Sequence, residues 1–253
     1  MATYGRFLAD GKPQHAEIDG ATAYFIDDLF GAAQRTGQSA PVSDLKILAP
    51  VAPSKLFAIG LNYVDHAKES GKPLPEVPLM WFKAPSAIIA HGEAVEVMHP
   101  NHRTDYEAEL TIVIGKRCKG VSEAEALDYI FGYTTGQDIS DRDVQNSESQ
   151  WARAKSFDTY APLGPFIYTG LDASDLPIQT RLNGEIKQNS TTQQLIFSVA
   201  KLVAFLSEGI TLEPGDCIMT GTPEGVGPIK AGDTIETRIG TMEPLITPVR
   251  GRQ

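Results

Sequence analysis

Acidic residues at every second position precede an apolar run in the middle of the chain. Asp105, Glu107 and Glu109 lead into the apolar residues 110–114. Alternate side chains of a β-strand share one face, so these carboxylates would lie together. Like charges beside a buried run destabilise a fold unless protons or a cation neutralise them. The pattern predicts a cation site, and the alternative is a solvated strand edge.

A second acidic cluster follows another apolar run, residues 129–133. It contains Asp138, Asp141 and Asp143. Two strand ends that both present carboxylates supply oxygen ligands suited to Mg²⁺ or Mn²⁺ and leave positions for substrate and water. No His pair or Cys cluster is evident beside these acids in the sequence, which argues against zinc. The two clusters therefore favour a hard divalent cation.

A histidine and a glutamate three residues apart form the next candidate. His66 and Glu69 lie in residues 60–71, where Gly71 is suited to end a helix. On a helix they would be neighbours, and the carboxylate would raise the basicity of the imidazole, so the pair could take a proton from water or a carbon acid. The alternative is a surface helix whose His and Glu only face solvent. The Pro- and Gly-rich residues 70–78 predict a mobile lid that carries the pair.

Other polar residues suggest a binding role more weakly. The Gly-rich residues 220–228 could hold an anionic group through backbone NH groups and Thr hydroxyls, although their spacing does not fit nucleotide-binding motifs. A plain turn is the alternative. Lys83 and Lys155 each place a cation beside apolar residues, and the alternative is that their stems cover the surface while the ammonium reaches water.

The elements that must position these residues are mainly strands. From Lys55 onward the chain consists of short strand candidates that end at Gly or Pro, which predicts a mainly β core. Residues 1–50 alternate apolar runs with turn residues and predict a small β-rich N-terminal module, so residues 51–253 would form the catalytic domain. Asn183-Gly184 predicts a two-residue hairpin turn.

Helices are predicted to be few and short. Ser122 and Glu125 form a candidate capping box for a helix over residues 123–130. Apolar residues recur at helical spacing within residues 191–209, which predicts a helix with a core-facing stripe that Gly209 ends. The stripe consists of Leu195, Ile196, Val199, Leu202, Val203 and Leu206.

Composition limits the partners and the compartment. The 253-residue chain has a formal charge of -10, which argues against nucleic acid and an anionic membrane surface because both need clustered Lys or Arg. No apolar stretch approaches the roughly 20 residues of a membrane span, and the N-terminus lacks a signal-peptide apolar region. Cys118 and Cys217 do not form a spaced framework, which favours a reducing compartment. We expect a cytoplasmic protein with neither kind of partner.

Ordered motifs over residues 55–240 resemble those of the fumarylacetoacetate hydrolase superfamily, in particular its acylpyruvate hydrolase-like and 2-hydroxyhepta-2,4-diene-1,7-dioate isomerase-like members. The motifs are GLNYVDHAKE, DYEAELTIVIGK, GYTTGQDISDRDVQ, ARAKSFD, LNGEIKQ and GDCIMTGTPEGVGP. The resemblance implies a mainly β, α+β fold, a mixed β-sandwich roll with short helices, and usually a homodimer. It also implies Mg²⁺ or Mn²⁺ held by carboxylates. Residues 1–50 resemble the family's variable N-terminal module much more weakly.

The resemblance assigns roles residue by residue. It implies metal ligation by Glu107, Glu109 and Asp138, catalysis by His66, Glu69 and Lys155, and substrate contacts by Gln145 and Thr222. We also predict substrate contacts by Arg142 and Asn62. Asp105 falls outside the ligand trio, so we expect it behind the ligands or at a strand edge.

The implied substrate is a small 2-oxo carboxylate. We favour hydrolysis of a carbon-carbon bond in an acylpyruvate-type (2,4-dioxo acid) substrate through a metal-stabilised enolate, because both members of the dyad are present to activate water. The alternative is a decarboxylase or isomerase of 2-oxo or 2-hydroxydiene dicarboxylates in aromatic catabolism, or an oxaloacetate decarboxylase. A non-catalytic carboxylate- or metal-binding protein on the same scaffold is a third hypothesis.

Overall fold

The structure, a computed structural model, describes residues 1–252. Strands dominate it, and short helices connect some of them. In chain order the strands are β1 (Thr3–Ala9), β2 (Lys12–Asp19), β3 (Thr22–Ile26), β4 (Arg35–Pro41), β5 (Lys46–Leu48), β6 (Leu56–Gly60), β7 (Leu79–Lys83), β8 (Ile88–Ala90), β9 (Val95–Val97), β10 (Thr104–Tyr106), β11 (Ala108–Ile114), β12 (Ile130–Gln137), β13 (Ser140–Asp141), β14 (Ala161–Leu163), β15 (Ile167–Tyr168), β16 (Pro177–Leu182), β17 (Glu185–Thr191), β18 (Cys217–Met219), β19 (Gly227–Pro228), β20 (Thr234–Ile239) and β21 (Leu245–Gly251). The α-helices are α1 (Val64–Glu69), α2 (Arg142–Ser147) and α3 (Val199–Gly209), and 3₁₀ turns occupy Val42–Asp44, Pro85–Ala87, Ala126–Tyr129 and Thr192–Gln194.

Two large sheets pack face to face. The 13-stranded sheet follows the path β4-β3-β2-β1-β15-β12-β11-β18-β6-β7, with β5, β8 and β14 paired beside it. The second sheet has the order β17-β16-β20-β21-β9. Leu110 and Ile112 of the first sheet share one apolar core with Ile178 and Ile239 of the second. The mixed β-sandwich roll of the α+β class is therefore confirmed.

The N-terminal strands continue the main sheet. β1 pairs with β15 as well as with β2, and Phe7 and Phe25 belong to the same core as Leu110. The predicted boundary near residue 50 falls in the connection between β5 and β6. The edge of the site-bearing sheet is thus covered by strands from the first 50 residues.

The predicted hairpin turn is confirmed. Asn183 and Gly184, with φ of 53° and 84°, join β16 to β17, and positive φ at both central residues defines the type I′ turn that matches the twist of the strands.

The predicted capping box also forms a hydrogen bond, since Ser122 N donates to Glu125 Oε2 at 3.1 Å. The helix that follows is only the 3₁₀ segment Ala126–Tyr129.

The prediction of a helix within residues 191–209 is wrong about where the helix begins. α3 begins at Val199 because the Ser198 side chain caps it, accepting from Lys201 N at 3.1 Å. Leu195 and Ile196 precede the helix, where the backbone of Ile196 instead bonds to Asn62 O at 2.9 Å. The core-facing stripe is confirmed within the helix, where Leu202, Val203 and Leu206 are buried.

Asn62 fastens the entry to α3 to the Gly-rich loop after β18. Its Nδ2 donates to Phe197 O at 3.1 Å and to Thr220 O at 2.7 Å. Its Oδ1 accepts from Phe197 N at 2.7 Å, and the residue is 0% exposed. Main-chain groups occupy both ends of the Asn62 amide, so the side chain has a structural role, and its predicted contact with substrate stays a prediction.

Among residues 1–252, no helix combines the length and apolar character needed to cross a membrane.

Replacement of Asn62 by Ala leaves buried main-chain groups without partners, which costs about 1–3 kcal/mol for each unsatisfied group. We expect Asn62→Ala to lower Tm by at least roughly 3 °C, since 1 kcal/mol corresponds to roughly 2–4 °C in a domain of this size. Differential scanning calorimetry measures this. The exposed Asn189→Ala is the matched control, and equal Tm values for the two variants would contradict the structural role.

Candidate active site

The predicted metal ligands meet where β11 and β12 lie side by side. Glu109 lies in β11 opposite Gly136 of β12, and Asp138 follows β12 directly. Glu107 occupies the break between β10 and β11, and Asp138 N donates to Glu107 O at 3.0 Å. One carboxylate oxygen from each of these acids can be chosen so that all lie within 4.8 Å of one another. All three residues are buried, with Glu107 the most exposed at 4%, which excludes the solvated strand edge.

Buried cations neutralise two of the three acids. Lys155 Nζ lies 2.6 Å from Glu107 Oε2 and 2.7 Å from Asp138 Oδ2. Lys83 Nζ contacts Asp138 Oδ1 and the carbonyl of Lys155. Lys83 is 1% and Lys155 is 2% exposed, so the interpretation of either as a surface lysine is wrong.

Glu109 is the acid without a cationic partner. It accepts from Gly221 N at 2.7 Å, and no Lys, Arg or His within residues 1–252 forms an ion pair with it. Burial, and then Asp138 and Glu107, raise the pKa of Glu109 well above its usual value. Burial alone would also raise the pKa of Glu107, but Lys155 and Arg142 outweigh it and lower that pKa to about 2. Adjacent carboxylates thus prefer opposite protonation states.

A divalent cation fits this donor set. All the donor atoms are carboxylate oxygens, which suit Mg²⁺ or Mn²⁺ better than softer metals. A carboxylate oxygen has two lone pairs, so one that accepts from Lys155 can still ligate a metal. A cation would also favour the ionised form of Glu109, which has no ion pair within residues 1–252. Glu107, Glu109 and Asp138 are the residues that would hold it.

Asp105 lies behind this trio. Its carboxylate accepts from Arg103 Nε and from Arg142 Nε, both at 2.8 Å. Arg142 also reaches Glu107 Oε1 at 2.5 Å and Gln145 Oε1 at 2.8 Å. Asp105 therefore orients the guanidinium that pairs with a candidate ligand.

The His66–Glu69 pair forms on α1 as predicted. His66 Nδ1 lies 3.0 Å from Glu69 Oε2, and Glu69 Oε1 accepts from Gly225 N at 3.0 Å. Asp65, on the same helix, contacts the hydroxyl of Ser190. The pair is therefore held over the cleft by bonds to two other segments, which argues against a helix that only faces solvent.

A narrow inner cleft joins these groups. It has a volume of about 70 Å³, and its walls include His66, Glu107, Glu109, Arg142, Gln145, Lys155 and Thr222. Trp81 and Trp151 close one side, with ring centroids 5.3 Å apart. Of the predicted substrate contacts, Arg142, Gln145 and Thr222 line the cleft, whereas Asn62 does not.

The loop after β18 reaches the acids through Gly221. This residue has φ of +100°, and a Cβ there would lie 2.8 Å from Asn62 Cβ. Only glycine fits this close approach, which brings its NH group to Glu109. Thr222 Oγ1 accepts from Gln188 Nε2 at 2.8 Å. The Gly-rich segment is therefore a structural part of the site.

Two features of the site region escaped the sequence analysis. Lys83 stands out in the sequence only as a cation beside apolar residues, and nothing local indicates its contact with Asp138. The statement that no His pair lies near the acids was wrong, since His99 and His102 lie just before Asp105 in the chain and meet Asp141. Their partner is 39 residues from His102 in the sequence.

The family comparison identifies this arrangement. Residues 55–250 match the model described as the fumarylacetoacetate (FAA) hydrolase C-terminal domain, and residues 3–50 match one described as Rv2993c-like, N-terminal. The chain belongs to the fumarylacetoacetate hydrolase family.

Proteins similar to this chain are named for different reactions. The crystal structure of 2-hydroxyhepta-2,4-diene-1,7-dioate isomerase from Mycobacterium marinum superposes with a TM-score of 0.93 at 39% identity, covering 100% of this chain and 99% of that one. The fumarylacetoacetate hydrolase of Exiguobacterium antarcticum has a TM-score of 0.89 at 31% identity, covering 100% of both chains. The mitochondrial oxaloacetate tautomerase fahd2 of Xenopus laevis is 39% identical, over 82% of this chain and 69% of that one. The chain is thus a family enzyme whose particular reaction these names leave open.

Glu109 and Glu107 differ in protonation, so they should affect the pH dependence of stability in opposite directions in metal-free protein. Glu109 keeps its proton in the folded state above the pH near 4.5 at which the unfolded chain loses it, so its ionisation destabilises the fold as pH rises. We expect Glu109→Gln to raise Tm at pH 8 by a few degrees, and this gain to vanish near pH 4.5. Thermal unfolding in EDTA at both pH values measures it.

Glu107→Gln is the matched variant with the opposite sign. The lowered pKa of Glu107 stabilises the fold above about 4.5, and this contribution is lost as pH falls toward about 2. We therefore expect Glu107→Gln to lower Tm at pH 8. Changes of the same sign in both variants would contradict the assigned charges.

Proposed function

We propose that this protein is a divalent-metal-dependent hydrolase that cleaves a carbon-carbon bond of a 2,4-dioxo acid of the acylpyruvate type. The observation that carries the proposal is that His66, bonded to Glu69, lines the same inner cleft as Glu107 and Glu109, two of the three buried carboxylates. A base oriented by a carboxylate, beside a cation site, is what water attack on a chelating oxo acid requires.

The inner cleft suits the small end of such a substrate. Glu107, Glu109 and Arg142 surround an accessible space of about 70 Å³, into which a 2-oxo carboxylate head would project. Bound Mg²⁺ or Mn²⁺ would supply Lewis acidity toward the oxygens of that head. Arg142 and Gln145 line the same cleft and would position the head, and the Trp81 and Trp151 rings exclude bulk water from one side.

The dyad would act on water at the next carbonyl. Since Nδ1 of His66 bonds to Glu69, the imidazole, which lines the cleft, would use Nε2 to accept a proton from water. Glu69 has a fixed orientation because Gly225 N binds its other oxygen. Lys155, which is buried with cationic character next to Glu107, would stabilise negative charge that develops on the substrate. Burial lowers the pKa of Lys155, but Asp138 and Glu107 outweigh it and raise that pKa above the usual value, which keeps the ammonium protonated.

Isomerisation of a 2-oxo dicarboxylate is the second candidate. The outer cleft, about 510 Å³ in volume, is lined by Lys72, Arg103 and Arg142, cations that would suit a distal carboxylate. The names of the isomerase and tautomerase relatives favour this reaction too. It needs the same base but no water, so the products distinguish the two candidates.

The dyad should be essential for hydrolysis. We expect purified protein with Mg²⁺ to convert an acylpyruvate into pyruvate and the corresponding acid, with ¹⁸O from labelled water entering that acid. His66→Gln and Glu69→Gln should each reduce kcat by roughly 100-fold or more, the usual contribution of a positioned base. Lys68→Gln, on the exposed face of the same helix, is the matched control and should retain activity.

Two outcomes would overturn the hydrolytic assignment. One is full turnover in both dyad variants. The other is the absence of pyruvate release across a panel of acylpyruvates, together with accelerated keto–enol interconversion of oxaloacetate followed by ultraviolet absorbance. The second outcome would select the isomerase.

A further inference from the structure

A second group of metal-binding side chains lies outside the cleft. His99 and His102 occupy the connection between β9 and β10, where His102 N donates to His99 O at 3.0 Å and closes a tight turn. The turn stacks the imidazoles, with ring centroids 4.5 Å apart and planes inclined by 36°. His99 and His102 therefore present their ring nitrogens in the same direction.

Both imidazoles converge on one buried carboxylate oxygen. Asp141 Oδ2 lies 2.7 Å from His99 Nδ1 and 2.9 Å from His102 Nδ1. The Asp141 side chain is 0% exposed, while those of His99 and His102 are 37% and 34% exposed. Asp141 Oδ1 accepts from Val144 N at 3.1 Å and also lies 3.0 Å from His102 Nδ1. The carboxylate is fixed by the fold, and the imidazoles above it are open to solvent.

From this geometry we propose a second metal site, formed by His99, His102 and Asp141, that binds a cation of the Zn²⁺ class. Two imidazoles and one carboxylate are the ligand set of open tetrahedral zinc sites, whose fourth position is filled by water or another small ligand. The ligand atoms lie within 4.8 Å of one another, so small rotations of the half-exposed rings bring them to the roughly 2.0–2.2 Å bonds that zinc requires. Nitrogen ligands distinguish this site from the all-oxygen cluster of Glu107, Glu109 and Asp138.

Neighbouring residues hold His99 and Asp141 in position before any cation binds. The His99 ring packs edge-on against Phe157 at a centroid distance of 5.3 Å and an angle of 78°. β13, which contains Asp141, pairs with β10 through Thr104. A cation here would replace the protons that the imidazoles share with Asp141 and would bind without rearranging the backbone.

The site is next to the catalytic cleft. Asp141 is the N-cap of α2, and the helix then presents Arg142 and Gln145 to the cleft. A cation bound to Asp141 would fix the beginning of this helix relative to the turn at His99–His102. The proposed site and the cleft therefore share α2 as a neighbouring element.

Co²⁺ is the probe for this site, because tetrahedral coordination gives it a visible absorption that an octahedral oxygen site gives only weakly. Full-length protein in excess Mg²⁺ should bind one further equivalent of Co²⁺ with that absorption. His99→Gln and His102→Gln should each weaken Co²⁺ binding by roughly 100-fold or more, since loss of a direct ligand exceeds the roughly 10–100-fold cost of losing an outer-shell partner. Excess Zn²⁺ should abolish the absorption by displacement.

Two variants serve as controls. His91→Gln, which changes a histidine outside this cluster, should leave Co²⁺ binding intact. Glu109→Gln, which removes a ligand of the other site, should keep the visible absorption. Thermal unfolding verifies that each variant is folded. The proposal is overturned if Mg²⁺-saturated wild-type protein develops no tetrahedral Co²⁺ absorption, or if the absorption persists in the folded His99→Gln/His102→Gln double variant.

Discussion

Three carboxylates buried inside a β-sandwich are the constraint on which the rest of the site depends. Burial disfavours charge on each, and their proximity disfavours a second and third charge further. Lys155, Lys83 and Arg142 balance Glu107 and Asp138, whereas Glu109 accepts a backbone hydrogen bond and has no ion pair in the described part of the chain. Ionisation of Glu109 therefore requires a further positive charge beside the cleft, where a chelating substrate would enter.

The second sheet of the sandwich holds this arrangement in place. Gln137 Oε1 accepts from Glu107 N at 2.9 Å while its Nε2 bonds to Thr237 of β20. Gln188 of β17 accepts from Ala108 N at 3.0 Å and donates to Thr222 at 2.8 Å. Both glutamines bond to main-chain NH groups at the irregular step between β10 and β11. The backbone at this step is thus satisfied by Gln137 of the main sheet, which is anchored to β20, and by Gln188 of the second sheet.

The sequence predicted those parts of the site that rest on local patterns. Alternation grouped Asp105, Glu107 and Glu109, helical spacing made His66 and Glu69 neighbours, and Asn183-Gly184 predicted its turn, because each pattern involves neighbours within four residues. The family resemblance, and not the local pattern, separated Asp105 from the other two acids and favoured a catalytic role for His66 and Glu69. Long-range contacts were not accessible in this way. Lys83 reaches Asp138 from 55 positions away, and Asn62 bonds to Phe197 from 135 positions away. The beginning of α3 was misplaced for the same reason, since Asn62 fixes the backbone of Ile196 outside the helix.

Anomalous diffraction from crystals grown with Mn²⁺ tests the central claim most directly. The account predicts a manganese peak coordinated by oxygens of Glu107, Glu109 and Asp138 at roughly 2.0–2.3 Å, the range for hard cations on carboxylates. Glu109 should then be a direct ligand while Lys83 and Lys155 remain beside the other two acids. A well-occupied peak that leaves Glu109 uncoordinated, or manganese bound only elsewhere, would contradict it.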